Sequence, residues 1–396
     1  MPNVTFYFEV HQPMRLRRKL YFDGTPDVID WERNKQIFNR VSDKCYIPAT
    51  KMFIDLIKSY PELKLSFSFT GTFFEQAELF RKDVISLFQE LFDTGNVDIL
   101  DETYYHSLAY LMSKDEYEEQ IRMHREMIKK YFNYSPKIFR NTEAMYSNGI
   151  AEIAAEMGYK GILAEGWDKV LGWRSPNYVY SPPGSSISVE LRNYRLSDDI
   201  SFRFSSRDWK EFPLTADKYA RWVASNEGDT VNLFMDYETF GEHQWKETGI
   251  FEFMRKLIPS LLKEGVGFNT VTETAELKPV GVIDINDILS WADVDRDLSA
   301  WLGNSMQIAA FEQLKVLGEK IKKTKDENLL KVWRYLQTSD NFYYMCTKWF
   351  SDGDIHKYFN AYDSPYIAYI NFMNILKSLG DSLMDGTVPA HMPEDN

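Results

Sequence analysis

Cysteine and histidine are scarce in this 396-residue chain, which holds two cysteines, Cys45 and Cys346, and six histidines. The cysteines are far apart and form no C-x-x-C pair, which argues against a disulfide framework or a zinc ribbon and fits a reducing compartment. His11, His106, His124, His243, His356 and His391 contain no pair at helical spacing, so the clustered ligands of a metal-dependent polysaccharide deacetylase are missing and no metal or other cofactor is expected. There is no G-x-S-x-G elbow, phosphate-binding loop or dinucleotide fingerprint, which sets aside serine-nucleophile and nucleotide chemistry. No run approaches the roughly 18 apolar residues of a membrane-spanning helix. The opening Met1-Pro2-Asn3-Val4-Thr5-Phe6 has no basic segment followed by a long apolar one and reads as the first strand of a cytoplasmic protein. Basic residues are in deficit, 46 against 59 acidic ones, so the net charge of −13 offers no field to a phosphate backbone and nucleic acid is not an expected partner.

Rings, by contrast, are abundant. Trp, Tyr and Phe make up 15% of the chain, too many for a disordered acidic polymer. The length suits one large barrel-type domain with an appendage, or two to three average domains. Short β-branched or aromatic runs at residues 4–10, 63–70, 97–101, 137–142, 161–164, 231–236 and 267–271 alternate with amphipathic stretches at 43–59, 74–92, 114–132 and 149–157. That rhythm predicts an α/β fold of βα units around a largely parallel sheet. In the second run Leu63, Leu65, Phe67 and Phe69 alternate with Lys64, Ser66 and Ser68, which suits a barrel strand whose inner face lies near a polar site. Residues 166–213 are rich in Trp, Tyr, Pro and Ser and read as a loop-rich insertion over one barrel end. Beyond residue 279 strand signals stop, and 299–323, 327–349 and 364–379 read as helices. The expected division is a catalytic domain over 1–290, a helical domain over 291–385 and a frayed tail over 386–396.

Catalytic groups of such barrels project from the C-terminal ends of strands, and here those exits are acidic. They carry Glu9, His11, Gln12 and Pro13; Asp101, Glu102 and His106; Arg140-Asn141-Thr142-Glu143; Glu165-Gly166-Trp167; and Asp236-Tyr237-Glu238. Two carboxylates brought to one rim from different strands are what glycoside hydrolysis requires, one to attack the sugar and one to protonate the leaving oxygen. Glu143 and Asp236 suit this best, because each directly follows an apolar run that fixes its backbone. Spacing alone equally allows any one such acid to be a helix cap or a salt-bridge partner.

Four segments carry a resemblance. His11-Gln12-Pro13, Tyr104-Tyr105-His106, Arg140-Asn141-Thr142-Glu143 and Asp236-Tyr237-Glu238-Thr239-Phe240-Gly241-Glu242-His243 resemble four of the five ordered motifs of glycoside hydrolase family 57, with a less sharp fifth at Trp291-Ala292-Asp293 through Trp301. The resemblance is greatest to the α-amylase-like intracellular members. It implies an incomplete (β/α)7 barrel followed by a helical region, and a retaining double displacement on α-glucans such as starch, glycogen or maltooligosaccharides. By position it implies Glu143 as nucleophile and Asp236 as general acid/base, with the carboxyl groups roughly 5–5.5 Å apart. His11, Gln12, His106, Arg140, Glu238 and His243 fall in the motifs and are expected near the substrate, with Arg140 and His11 holding Glu143 ionised. Trp167, Trp173, Trp291 and Trp301 are candidates for stacking on sugar rings, Trp291 and Trp301 foremost. Two alternatives stay open: a 4-α-glucanotransferase or branching-type transglycosylase on the same site, and a non-catalytic glucan-binding protein.

Overall fold

A computed structural model describes residues 1–20, 27–348 and 360–385. Seven of the eight residues of the first strand, β1 (Asn3–Val10), are buried, as a central parallel strand covered on both faces requires. It pairs in parallel with β2 (Leu65–Phe69), which pairs with β3 (Val97–Ile99). A second sheet holds β4 (Ile138–Phe139), β5 (Gly161–Glu165), β6 (Val179–Tyr180) and β7 (Ser188–Arg192) in the order β4-β5-β7-β6, with only β6 antiparallel. β8 (Thr230–Asp236) lies on the far side of β1 from β2, and β9 (Phe268–Asn269) adds a short pairing at the start of β1. The two sheets meet through a single bridge between Asp101 and Phe139, and near β7 and β8 through the hydrogen bond from the Asn193 N–H to the Asn232 carbonyl. The parallel strands are therefore shared between two sheets without a continuous closing ladder.

The alternation in the second strand has the expected consequence. Leu65, Phe67 and Phe69 pack into the main aromatic core, while Ser68 Oγ lies 2.6 Å from the Tyr7 hydroxyl and Ser66 Oγ accepts the Val271 N–H. Two sequence expectations fail. Residues 166–213 hold β7, a fully buried strand of the second sheet, and a helix over Tyr194–Ser201. The strand was hidden because its inward residues include charged Glu190 and Arg192, which break the apolar run. The single helix expected over 74–92 is two, Gly71–Phe80 and Lys82–Phe92, parted at Arg81, whose backbone is non-helical.

Downstream of residue 290 come helices Ser299–Leu302, Ser305–Thr324, Glu327–Leu336, Ser339–Tyr343 and Pro365–Asp385. The long pair is locked by Trp333, whose indole N–H donates to the Leu314 carbonyl at 2.9 Å. Gly318 makes room for that ring, since a Cβ there would stand 2.2 Å from it. The last helix grips the segment after β1: Asn371 accepts the Lys19 N–H at 2.6 Å and donates to the Arg17 carbonyl. The helix expected over 327–349 stops at Leu336 and restarts at Ser339, and residues 349 and beyond in that stretch, like the tail over 386–396, lie outside the described residues. Both cysteines are buried and free, and no described helix is long and apolar enough to cross a membrane.

Candidate active site

The strand register decides which acids meet. Glu9 on β1 stands opposite Asp236 on β8, and neighbours in a parallel pair present their side chains to the same face. Beyond β4 the chain makes a tight turn in which Glu143 and Ala144 both take left-handed backbone angles, φ 58° and 48°. His106, after β3, is left-handed too, at φ 49°. Such angles are uncommon outside glycine and persist only where the surroundings impose them.

Those surroundings are polar. Glu143 Oε1 accepts the Ser339 hydroxyl at 2.9 Å and lies 3.3 Å from His106 Nε2, while Oε2 accepts the indole N–H of Trp291 at 3.0 Å. The Trp291 N–H and Ser290 hydroxyl also donate to the Glu143 carbonyl, which pins the turn. On its other side His106 Nδ1 faces Glu9 at 2.9 Å and Glu102 at 3.3 Å. Arg140 is fully buried and grips both oxygens of Glu9, with one contact at 2.7 Å. His11 stacks on His106 with ring centres 4.1 Å apart; its nitrogens reach Thr70 Oγ1 and Asp340 Oδ2, each at 3.0 Å.

This arrangement drives the two principal carboxyls apart. Burial alone would raise Glu143, but hydrogen bonding and charge from His106, with Arg140 and Trp291, bring it down to about 2. Asp236 goes the other way: burial first, then repulsion from Glu9 and Glu143, push it up to about 7. Burial opposes the charged form of His106, yet Glu9, Glu102 and Glu143 raise it well above the ordinary histidine value, so it sits as a cation among three carboxylates. Burial holds His243 at about 4, and hence neutral. The group that keeps Glu143 ionised is chiefly His106; the expectation of His11 is replaced, because His11 faces Asp340.

These groups open on one cleft of about 970 Å³, lined among others by Glu143, Asp236, His11, Gln12, His106, Glu238, His243 and Trp291. Four expected substrate contacts are not there. Arg140 lies behind Glu9 and holds it in place without reaching the cleft. Trp301 is fully buried in the core of the helical half. Trp167 packs against that core with Lys169 over its ring. Trp173 is exposed and lines no part of the cleft. Glu238 lines the cleft while accepting the Tyr46 hydroxyl at 2.5 Å. Sequence reasoning gave no role to Glu9 as the anchor of Arg140, to Arg192 on the cleft wall, or to Ser339 and Asp340. The last two had a visible signal: Gln337-Thr338-Ser339-Asp340-Asn341 is an unbroken polar run inside an amphipathic stretch.

Glu9, Glu102 and His106 bring one potential metal-ligating atom each within 4.8 Å of one another. Both oxygens of Glu9 are already engaged by the Arg140 guanidinium, so a fixed cation balances this cluster and the donor set fits a metal poorly.

The sequence profile of glycosyl hydrolase family 57 matches residues 5–286. A protein of Methanocaldococcus jannaschii, whose α-amylase designation is provisional, is 49% identical over 389 residues, covering 94% of this chain and 83% of its own. An α-amylase of Pyrococcus abyssi is 22% identical over 253 residues, 62% of this chain and 36% of that protein. Among solved structures, a branching enzyme of Thermococcus kodakaraensis superposes with a TM-score of 0.71 at 14% identity, covering 97% of this chain and 91% of that one. The 4-α-glucanotransferase of Thermococcus litoralis gives 0.69 at 16% identity, with 96% of this chain on 60% of that one. At such identities the superpositions speak for the fold alone.

Proposed function

The chain belongs to glycosyl hydrolase family 57 and is a glycoside hydrolase, and we propose that it cleaves α-1,4 linkages of α-glucans by retaining double displacement, with Glu143 as nucleophile and Asp236 as general acid/base. The observation that supports this reading is the opposite displacement of two carboxyls on one cleft: Glu143 at about 2 is ionised near neutral pH, whereas Asp236 at about 7 keeps a large protonated fraction.

In the first step a Glu143 oxygen attacks the anomeric carbon, the bond to the leaving sugar oxygen breaks, and the Asp236 proton passes to that oxygen. The product is a β-glycosyl ester on Glu143. Forming the ester removes one of the negative charges that raise Asp236, so the same carboxyl becomes more acidic and accepts the proton of an incoming water. The water oxygen bonds to the anomeric carbon, the ester bond breaks, and Glu143 returns as a carboxylate.

A second reading, transfer of the glycosyl group to another sugar, uses the same residues and differs only in what enters. It is favoured by two exposed rings on the cleft wall, Trp245 and Phe202, which offer an apolar face to an acceptor pyranose. Incubation with maltoheptaose separates the readings. Shorter products alone mark hydrolysis, longer ones mark transfer, and binding without any product marks a non-catalytic glucan-binding protein. Glu143→Gln keeps the side-chain shape and should abolish turnover; a covalently trapped sugar on another residue would refute the assignment.

A further inference from the structure

We propose that Ser339, at the head of the short helix Ser339–Tyr343, is a positioning residue that fixes the Glu143 carboxylate. The inference rests on Glu143 being the nucleophile. Ser339 lies outside the 5–286 segment matched by the family profile.

Two adjacent side chains reach two adjacent targets. Ser339 Oγ donates to Glu143 Oε1 at 2.9 Å, and Asp340 Oδ2 accepts from His11 Nε2 at 3.0 Å. This is possible because His11 and His106 stack, which places the carboxylate served by His106 beside the imidazole served by Asp340. The segment cannot slide. The Ser339 N–H donates to the His106 carbonyl at 2.9 Å, the Thr338 hydroxyl to the Tyr105 carbonyl at 3.0 Å, and the Leu108 N–H to the Gln337 carbonyl at 3.1 Å. The same backbone that carries His106 thus carries Ser339, and both point at one carboxylate oxygen.

The break in the helix makes the reach possible. Glu327–Leu336 ends, Thr338 turns to extended geometry at ψ 132°, and the chain restarts at Ser339. Ser339 is fully buried, so its hydroxyl is not exchanging between the carboxylate and bulk water. The donor count then distinguishes the two oxygens. Among the described residues Oε1 takes two donors, Ser339 and His106, which use both of its lone pairs, while Oε2 takes Trp291 alone and keeps one lone pair for attack. Without Ser339 the carboxylate keeps His106 and Trp291 but loses its shortest hydrogen bond, and the attacking pair is less firmly aimed.

The test compares Ser339→Ala and Glu143→Gln with the wild type in the full chain, on maltoheptaose. A hydrogen bond to a charged group made at the reacting centre predicts that Ser339→Ala lowers kcat roughly 10–100-fold. KM should stay within about twofold, because substrate hydroxyls are not its partners. Loss of a donor to the carboxylate also predicts that the acid limb of kcat/KM moves to higher pH. A structural role alone would not move that limb, so a fall in kcat with an unmoved acid limb overturns the proposal, as does an unchanged kcat. The Glu143→Gln arm separates the two levels. If it is inactive while Ser339→Ala matches the wild type, only the positioning role fails; if it remains active, the nucleophile assignment fails first.

Discussion

Glu9 and Asp236 stand in register on neighbouring parallel strands, and only Glu9 is closed by cations. Arg140 and His106 satisfy Glu9, whereas no ion pair to Asp236 forms among the described residues. The pair therefore behaves as one fixed negative charge beside one carboxyl that keeps its proton, the condition for an acid catalyst at neutral pH.

The first prediction concerns pH. Activity should fall as pH rises through about 7, where Asp236 loses its proton, while Glu143 stays ionised down to about 2. Asp236→Asn should remove that alkaline limb and slow glycosides with poor leaving groups far more than activated aryl glycosides. Steady-state kinetics on both substrate types across pH reads this directly, and equal losses would argue against the acid role.

Stability should move in the opposite direction from activity at the same residue. Asp236 is raised from 3.8 to about 7 in the fold, so it costs nothing below its unfolded value, costs progressively more as pH rises between the two, and carries the full cost above. Asp236→Asn should raise Tm at pH 8 and leave it nearly unchanged at pH 4. A Tm gain that is equal at both pH values would contradict this.

Glu190 offers a second case with no bearing on catalysis. It is fully buried, neither carboxylate oxygen has a hydrogen-bond partner among the described residues, and burial followed by the charge of Asp98 raises it well above the ordinary glutamate range. Glu190→Gln should therefore stabilise the protein increasingly as pH rises above about 4.5 and hardly at all below it. Thermal melts across pH check the slope.

Breaking the inner ion pair should be severe. Arg140→Met leaves the buried Glu9 carboxylate without its main cation, and the loss is expected to be about 3–5 kcal/mol by urea unfolding. A loss below about 1 kcal/mol would mean that His106 alone suffices.

Trp291→Phe keeps a ring near Arg140, 4.7 Å from the present ring centre, but removes the N–H that Glu143 Oε2 accepts. The expected result is a fall in kcat of about tenfold, from loss of one hydrogen bond to a charged group. A rise in KM without change in kcat would instead assign Trp291 to sugar stacking.

Much of this architecture is legible in sequence because apolar residues recur with period two in strands such as Leu65–Phe69 and with helical period in Lys114–Phe132. β7 was not legible, because Glu190 and Arg192 are charged residues buried inside the fold and mimic a loop's composition. The rim acids could be collected from strand exits, but their division of labour could not. It depends on register, which sets Glu9 against Asp236, and on Arg140 choosing Glu9. Trp301 and Trp291 were indistinguishable as tryptophans; only packing separates the fully buried ring from the one that touches Glu143. Ser339 and Asp340 were passed over because their polar run lies inside a stretch read as one helix, and the break that turns them toward Glu143 and His11 is imposed by tertiary contacts.

The left-handed turn at Glu143 and Ala144 sets robustness against turnover at one position. A glycine at 143 would adopt φ 58° without objection, whereas glutamate holds it at a conformational cost on the order of 1 kcal/mol or more. Random substitution screened only for heat resistance should thus be drawn toward erasing the proposed nucleophile. A thermostable isolate from such a screen would need its activity measured before its melting temperature could be counted as an improvement.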